Sequence, residues 1–306
     1  MNTWFWILSW SLSILAITGN GFMIFLIFSK RQLRTKTNAF VVSLAVADLL
    51  VGMSAVPSLF FCELATGCNP QAFLADGMDF VRWPFVYASV MNSCSLVLDR
   101  YLAVVKPLKY LSFMKRERVI QMLCLSWAVP ITFVMVICLV WRNSSIPLVF
   151  HVFVWLLMLF FEFLPCLIMI FCFISMLRVV WKHNQTARTL AKQLRFNHQV
   201  FFKSPERSAV IMMALVISLF LLCYAFYLRC SFVLLFNSDQ SCDDQEYKIP
   251  LLEINSAINP VAYACFKRDI KKEIKRLLRC WTIAEKQKKI EPVNVDNCFT
   301  LESRLG

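Results

Sequence analysis

Residues 4–28 read WFWILSWSLSILAITGNGFMIFLIF, a run without one charged side chain. About 20 mostly apolar residues cross the roughly 30 Å hydrocarbon core of a bilayer as a helix. The run is long enough for that. A cleaved signal peptide is the alternative, but this stretch exceeds a typical signal core and no small-residue cleavage site follows it. A first transmembrane helix acting as its own signal is the better reading. Six further apolar stretches follow at Ala39–Cys62, Met78–Val105, Val119–Trp141, Leu148–Val180, Ser208–Phe236 and Ile249–Cys265. Composition agrees: 59% of the 306 residues are hydrophobic, only 17% are charged, and mean hydropathy is +0.62. Ordinary soluble domains have about 45–50% apolar and about 25% charged residues. A soluble two-domain enzyme and a disordered chain are both excluded by these values. The fold class expected is an all-α membrane protein, a seven-transmembrane helix bundle.

The formal net charge of +13 could point to nucleic acid, but the positions of the charges decide otherwise. Of the 32 lysines and arginines, 28 fall in or at the helix ends flanking the connections between segments one and two, three and four, and five and six, or after segment seven. Basic residues collect on the cytoplasmic side of membrane proteins. The amino terminus is then extracellular and the carboxyl terminus cytoplasmic, and no nucleic-acid partner is needed. Residues 1–265 form the expected bundle, 266–280 an amphipathic juxtamembrane helix, and 281–306 a disordered cytoplasmic tail. In the juxtamembrane stretch Phe266, Ile270, Ile274 and Leu277 share one helical face and lysines and arginines fill the other. Such a helix lies on anionic lipid. Cys280 at its end is a palmitoylation candidate. Asn143-Ser-Ser145 is a sequon on the extracellular side, whereas Asn184-Gln-Thr186 falls on the cytoplasmic side.

Landmarks appear in order along these segments. They are Gly19-Asn20, Leu44-Ala-Val-Ala-Asp48, Asp99-Arg100-Tyr101 followed by Lys106-Pro107-Leu108, Trp127, Pro165, Phe220-Leu-Leu-Cys223 and Asn259-Pro260-Val-Ala-Tyr263. Together they resemble the rhodopsin-like (class A) G-protein-coupled receptors over about residues 4–280. The stretches Thr37–Met53 and Asp99–Tyr110 are most similar to amine, trace-amine and adenosine receptors. The resemblance implies a plasma-membrane receptor that binds a small extracellular ligand and activates a heterotrimeric G protein. It requires no cofactor.

Asp48 is a carboxylate near mid-membrane, where a charge costs about 2.5–3.5 kcal/mol on an insertion scale. It needs partners, and Ser89, Asn255, Ser256 and Asn259 are polar residues at matching depth. The resemblance implies an allosteric sodium site here. A hydrated hydrogen-bond network without an ion is the alternative. Arg100, flanked by Asp99 and Tyr101, is implied to pair at rest with Glu206 at the start of segment six and to turn toward the G protein on activation. Phe220, Asn259, Pro260 and Tyr263 belong to the same switch. Leu108 resembles the apolar knob that docks on the G protein. The tail after Cys280 has only Thr282, Thr300 and Ser303 as hydroxyls for phosphorylation, so weak arrestin recruitment is expected.

The sequence also departs from the family. The outer end of segment three has Ala75 where a bridging cysteine is usual, and the loop from Arg142 to Pro147 has no cysteine. Cys68 has Cys62 and Cys242 as alternative partners. Segment six reads Cys223-Tyr224-Ala225-Phe226, with tyrosine for the usual tryptophan and without the kink-forming proline. Phe173 stands where an activation tyrosine is usual. Arg82 occupies the place of the amine-binding aspartate, and Glu253 the place of the retinal-binding lysine. An amine in its usual pose and an opsin are both disfavoured. The ligand-pocket candidates are Asp79, Arg82, Phe161, Tyr224, Tyr227 and Glu253. Arg82 and Glu253 are expected to form a cross-helix ion pair; two separately hydrated charges, or Arg82 with Asp79, are the alternatives. Such a pair suits bifunctional, amino-acid-like ligands better than simple amines.

Other classes fit less well. A transporter would show internal repeats and broken helices. An enzyme needs a convergent catalytic set, and His151, His183 and His198 all lie near loops. A receptor-like protein that signals weakly remains the alternative function.

Overall fold

In the computed structural model the described residues are 2–64, 79–143, 147–193, 213–214, 216–225 and 245–288. They are helical almost throughout. The order is α1 (Thr3–Ser29), α2 (Lys36–Leu64), α3 (Asp79–Val105), a short α4 (Pro107–Phe113) and α5 (Arg116–Asn143). Then come α6 (Pro147–Met158), a π-helical turn (Leu159–Phe163) and α7 (Leu164–Gln193). The chain closes with α8 (Val216–Ala225), α9 (Gln245–Phe266) and α10 (Arg268–Lys288). Four helical spans, Thr3–Ser29, Lys36–Ser58, Arg116–Val140 and Trp155–Lys182, are long and apolar enough to cross a membrane.

Helix α1 packs on α2 and α9, α2 on α3, and α3 on α5 and α7. Close approach depends on small residues, as is usual where lipid supplies no hydrophobic drive between helices. Ser13 Oγ donates to the Gly52 carbonyl at 2.5 Å. A Cβ on Gly52 would lie 3.2 Å from Ala16 Cβ, Ile17 Cγ1 and the Ser13 carbonyl oxygen. A Cβ on Gly19 would meet the Pro260 ring at 3.2 Å, so α1 abuts α9 at its proline.

The π turn has a local cause. Pro165 lacks an N–H and its ring crowds the carbonyl four residues earlier. The helix widens just upstream, and the Leu164 N–H bonds to the Leu159 carbonyl. The wide turn shifts the register, so the consecutive Phe161 and Glu162 are both buried.

Several boundaries differ from the sequence expectation; the fourth and seventh segments begin at Arg116 and Gln245, ahead of Val119 and Ile249. Segment five continues past Val180 to Gln193. Segment two begins at Lys36, ahead of Ala39. The juxtamembrane helix does not stop at Cys280; residues 281–288 continue it, so the tail expected to be disordered from 281 starts as helix. Its amphipathic pattern does not end at the cysteine, since Trp281 and Ala284 extend the same spacing.

Gly52→Leu should force α1 from α2. Overpacking of this kind costs about 1–3 kcal/mol. A clear fall in melting temperature of the detergent-solubilised protein is expected, with Gly52→Ala much milder because neighbouring atoms need to give only slightly.

Candidate functional site

Three polar constellations lie along the bundle. The deepest centres on Asp48 of α2, with 0% of its surface exposed. Ser89 Oγ of α3 donates to its Oδ1 at 2.6 Å, and Asn259 Nδ2 of α9 donates to its Oδ2 at 2.8 Å. Ser256 is buried on the same helix as Asn259. No hydrogen bond joins Asn255 to Asp48 among the described residues, although Asn255 is buried nearby on α9. Asn20 of α1 donates to the Ser256 carbonyl at 3.1 Å, drawing α1 into the same cluster. Asn20 Oδ1, Asn259 Oδ1 and Tyr263 Oη are buried oxygens with no hydrogen-bond partner. A carboxylate surrounded by unfilled neutral oxygens is the donor set a hard monovalent cation takes. A second tie runs beside it: Ser43 donates to Asn92 at 2.7 Å, and the Trp127 indole donates to Ser43 at 3.0 Å, joining α2, α3 and α5.

The second constellation is at the carboxyl-terminal end of α3. Asp99 is fully buried and accepts from Thr37 Oγ1 at 3.1 Å and Tyr110 Oη at 3.0 Å. Arg100 Nη2 donates to Asp99 Oδ2 at 2.6 Å and also to Thr37. The expected partner Glu206 lies outside the described residues. The partners present are instead Asp99, next in the chain, and Thr37, brought over by α2. Burial, then the neighbouring Asp99, hold the Tyr110 phenol above its ordinary range. Tyr110 sits on α4, so the short helix that carries Leu108 is fastened to Asp99. Leu108 itself is 86% exposed. Lys36 Nζ donates to the Met114 carbonyl at 2.8 Å, closing the far end of α4. Tyr101 packs against Phe171 of α7, with ring centroids 6.0 Å apart.

Beside this network Lys267, between α9 and α10, donates to Asn38 and lies 3.8 Å from Asp269. Asn38 Nδ2 donates to the Leu33 carbonyl at 2.6 Å and to Asp269 at 3.2 Å.

The third constellation holds the residues expected to line a ligand pocket. Arg82 of α3 is buried, and its guanidinium stacks 5.1 Å from the Trp83 ring centroid. Glu253 of α9 has 0% exposure, and neither carboxylate oxygen has a hydrogen-bond partner. The expected ion pair between them is not formed. The Arg82 guanidinium lies over the Trp83 ring, and the side chain of Asp79, the alternative partner, lies outside the described residues. Trp83 stacks on Tyr87 at 5.5 Å, Tyr87 meets Phe161 at 5.1 Å, and Phe161 meets Phe133 at 5.5 Å. Tyr224 is buried and stacks on Phe220 at 4.2 Å within α8. Tyr227, Cys68, Cys242 and the side chains of Asp79, Asn143 and Cys62 lie outside the described residues. Cys280 is a free, half-buried thiol on α10.

Sequence reasoning missed Thr37, Tyr110, Lys267 and Glu162 as site residues. Tyr110 follows Asp99 by 11 residues with no local pattern to link them. Glu162 had a signal, a lone acid in an apolar stretch.

The rhodopsin-family model of seven-transmembrane receptors matches residues 19–263. The chain belongs to that family: it is a multi-pass G-protein-coupled receptor and not an enzyme. Curated relatives include octopamine receptor beta-2R of Chilo suppressalis, 26% identical over 87% of this chain and 77% of that protein. The histamine H2 receptor of Canis lupus familiaris is 28% identical over 88% of this chain and 77% of its own. Among solved structures, squid rhodopsin shares the fold at a TM-score of 0.69 and 20% identity, covering 91% of this chain and 85% of that one.

Lys267 gives a pH test. Burial first, opposed by Asp269 and aided by Arg100, lowers its ammonium from 10.5 to about 8. Between those values the unfolded chain binds more protons, so stability rises with pH across that window and shows no such slope below it. Melting temperature in lipid nanodiscs should therefore rise between about pH 8 and about pH 10 from this group, and Lys267→Met should flatten the rise.

Proposed function

We propose that this protein binds a small extracellular ligand at the plasma membrane and, in response, frees Arg100 to engage a heterotrimeric G protein. The supporting observation is the clasp of Asp99, Arg100, Thr37 and Tyr110, which holds the arginine and the Leu108-bearing α4 together. Leu108 is exposed where a partner could receive it. In this reading the amino terminus faces outward, and α10 lies on anionic lipid with Cys280 available for acylation. The test is basal G-protein activation. Hydrogen bonds to charged groups contribute about 1.5–3 kcal/mol. Tyr110→Phe and Thr37→Ala should each raise basal activity several-fold, since each removes a donor from buried Asp99. Unchanged basal activity in the double variant would sink the clasp as the resting lock.

A second reading, a heptahelical protein that signals weakly, is favoured by one feature. Helix α8 runs unbroken through Cys223-Tyr224-Ala225, and Tyr224 is stacked on Phe220. The same assay decides: a protein of this kind would stay silent even when the clasp is cut.

We further propose that Asp48, Ser89 and Asn259 hold a sodium ion that favours the resting state, with Asn255 and Ser256 alongside. The unfilled oxygens of Asn20, Asn259 and Tyr263 support this. Asp48→Asn keeps the shape and removes the charge. It should abolish any effect of sodium on melting temperature, measured against potassium at equal ionic strength. A sodium effect of unchanged size in the variant would place the ion elsewhere.

A further inference from the structure

Residues 106–118 read KPLKYLSFMKRER, with five basic side chains and one acid, Glu117. Helix α4 lies in this stretch and is fastened to the bundle at two points. Tyr110 Oη donates to Asp99 at 3.0 Å, and the carbonyl of buried Met114 accepts from Lys36 at 2.8 Å. Between these anchors Leu111, Ser112 and Phe113 are exposed. The Ser112 hydroxyl donates to the Lys109 carbonyl at 3.0 Å, a bond within its own turn. Lys109, Lys115, Arg116 and Arg118 are exposed around it. The Arg118 guanidinium reaches back over the Phe113 ring, 4.1 Å from its centroid, so the start of α5 brings basic charge to the end of α4. Leu108 and Ser112 are four residues apart in α4 and share one face of it.

An exposed hydroxyl flanked on both sides by basic residues is what a kinase with an acidic substrate groove selects, because charge pattern sets kinase–substrate choice. Thr186 and Thr189 on α7 and Thr282 on α10 are exposed as well. They differ in setting. Each sits inside a helix of 30 or 21 residues and donates to that helix's own carbonyls. A kinase takes its substrate chain extended, so those long helices must first be unwound. Helix α4 has seven residues and ends at Phe113, directly after Ser112. A helix that short has little stability of its own. What resists drawing it out is the bond from Tyr110 to Asp99, the same bond that belongs to the clasp around Arg100.

Resting on the receptor reading above, which puts α4 on the ATP-containing side of the membrane, we propose that Ser112 is a phosphorylation site for a basic-directed serine/threonine kinase, guarded by the Tyr110–Asp99 bond, and that its phosphate uncouples the G protein. The γ-phosphoryl group of ATP passes to Ser112 Oγ. The new bond is Oγ–P, the bond to the leaving ADP breaks, and the hydroxyl proton goes to the kinase's catalytic base. The phosphate carries about −1.5 to −2 charge at pH 7. It stands one helical turn from Leu108, so a partner that buries Leu108 must desolvate that charge as well. Lys109, Lys115 and Arg116 flank it as cations for its oxygens, while Glu117 is the nearby like charge. Opening the clasp frees Ser112, so the kinase prefers the state in which Arg100 is released.

The test begins without signalling. The full chain in lipid nanodiscs, open on both faces, is incubated with magnesium ATP and either the catalytic subunit of cyclic-AMP-dependent kinase or protein kinase C, both basic-directed. Casein kinase II, which is acid-directed, serves as control, and phosphate is located by peptide mass spectrometry. At least one basic-directed kinase should modify Ser112 ahead of Thr186, Thr189 and Thr282, and the control should not. Lys109→Gln with Arg116→Gln should slow the reaction several-fold, and Tyr110→Phe should speed it several-fold. Ser112→Ala should melt like the parent and lose the phosphate. The site is overturned if neither basic-directed kinase modifies Ser112, if the control does so equally well, or if the other three hydroxyls react first. Equal rates in Tyr110→Phe and the parent overturn the guard. Coupling is read as nucleotide exchange on a purified G-protein heterotrimer. Kinase treatment should lower exchange driven by the parent and not that driven by Ser112→Ala, and an undiminished rate overturns the uncoupling. A protein phosphorylated at Ser112 that drives no exchange in any form leaves the site standing and removes the receptor reading. Exchange by a protein that no kinase modifies at Ser112 does the opposite.

Discussion

One buried carboxylate ties the centre of the bundle together. Asp48 has no exposed surface, yet it receives a hydroxyl from α3 and an amide from α9. In hydrocarbon the flanking helices gain little from being apolar, because lipid tails are equally apolar. What holds them in one arrangement is close packing and polar ties that have no competitor for their partners. Removing the carboxylate would leave Ser89 and Asn259 without the acceptor that orients them. Small residues do the rest, with α1 seated on Gly52 of α2 and on Pro260 of α9.

The same constraint produces a gradient from the middle of the protein to the end where α3 meets α4. At mid-depth polar groups are few; Asp48 is matched, while the oxygens of Glu253 are not. At the α3–α4 end they form a dense web in which Thr37 and Asn38, neighbours in sequence, serve two different clasps. Thr37 faces Asp99 and Arg100, while Asn38 faces Lys267 and Asp269. The start of α2 therefore links the arginine switch to the hinge between α9 and α10. A movement of α9 would be felt at both clasps together, which suits a protein that must report a distant event at its inner face.

The ligand region follows a different logic. The family relatives named for amines are only 26–28% identical. At the positions that matter here, an arginine on α3 and a glutamate on α9 replace their usual chemistry. Phe161 and Tyr87 fill space beside α3 with rings. These two charges stand on a helical frame that the chain shares with the rhodopsin-family receptors.

The seven apolar segments and the gathering of lysine and arginine at alternate connections were legible in the sequence, because hydrocarbon thickness and the sidedness of basic residues act on composition alone. Asp48, Ser89, Ser256 and Asn259 could be named in advance for the same reason: polar residues inside apolar text are few. Their pairing could not. That Arg82 lies along Trp83 and does not reach Glu253 depends on rotamers and on the aromatic ring contacts beside it. That Arg100 is held by Thr37, and Asp99 by Tyr110, depends on where α2 and α4 come to rest. That Glu162 turns inward depends on the wide turn ahead of Pro165. Sequence specifies which groups hydrocarbon will not tolerate unpaired; only helix packing, working at the scale of a side chain's reach, chose the partner for each.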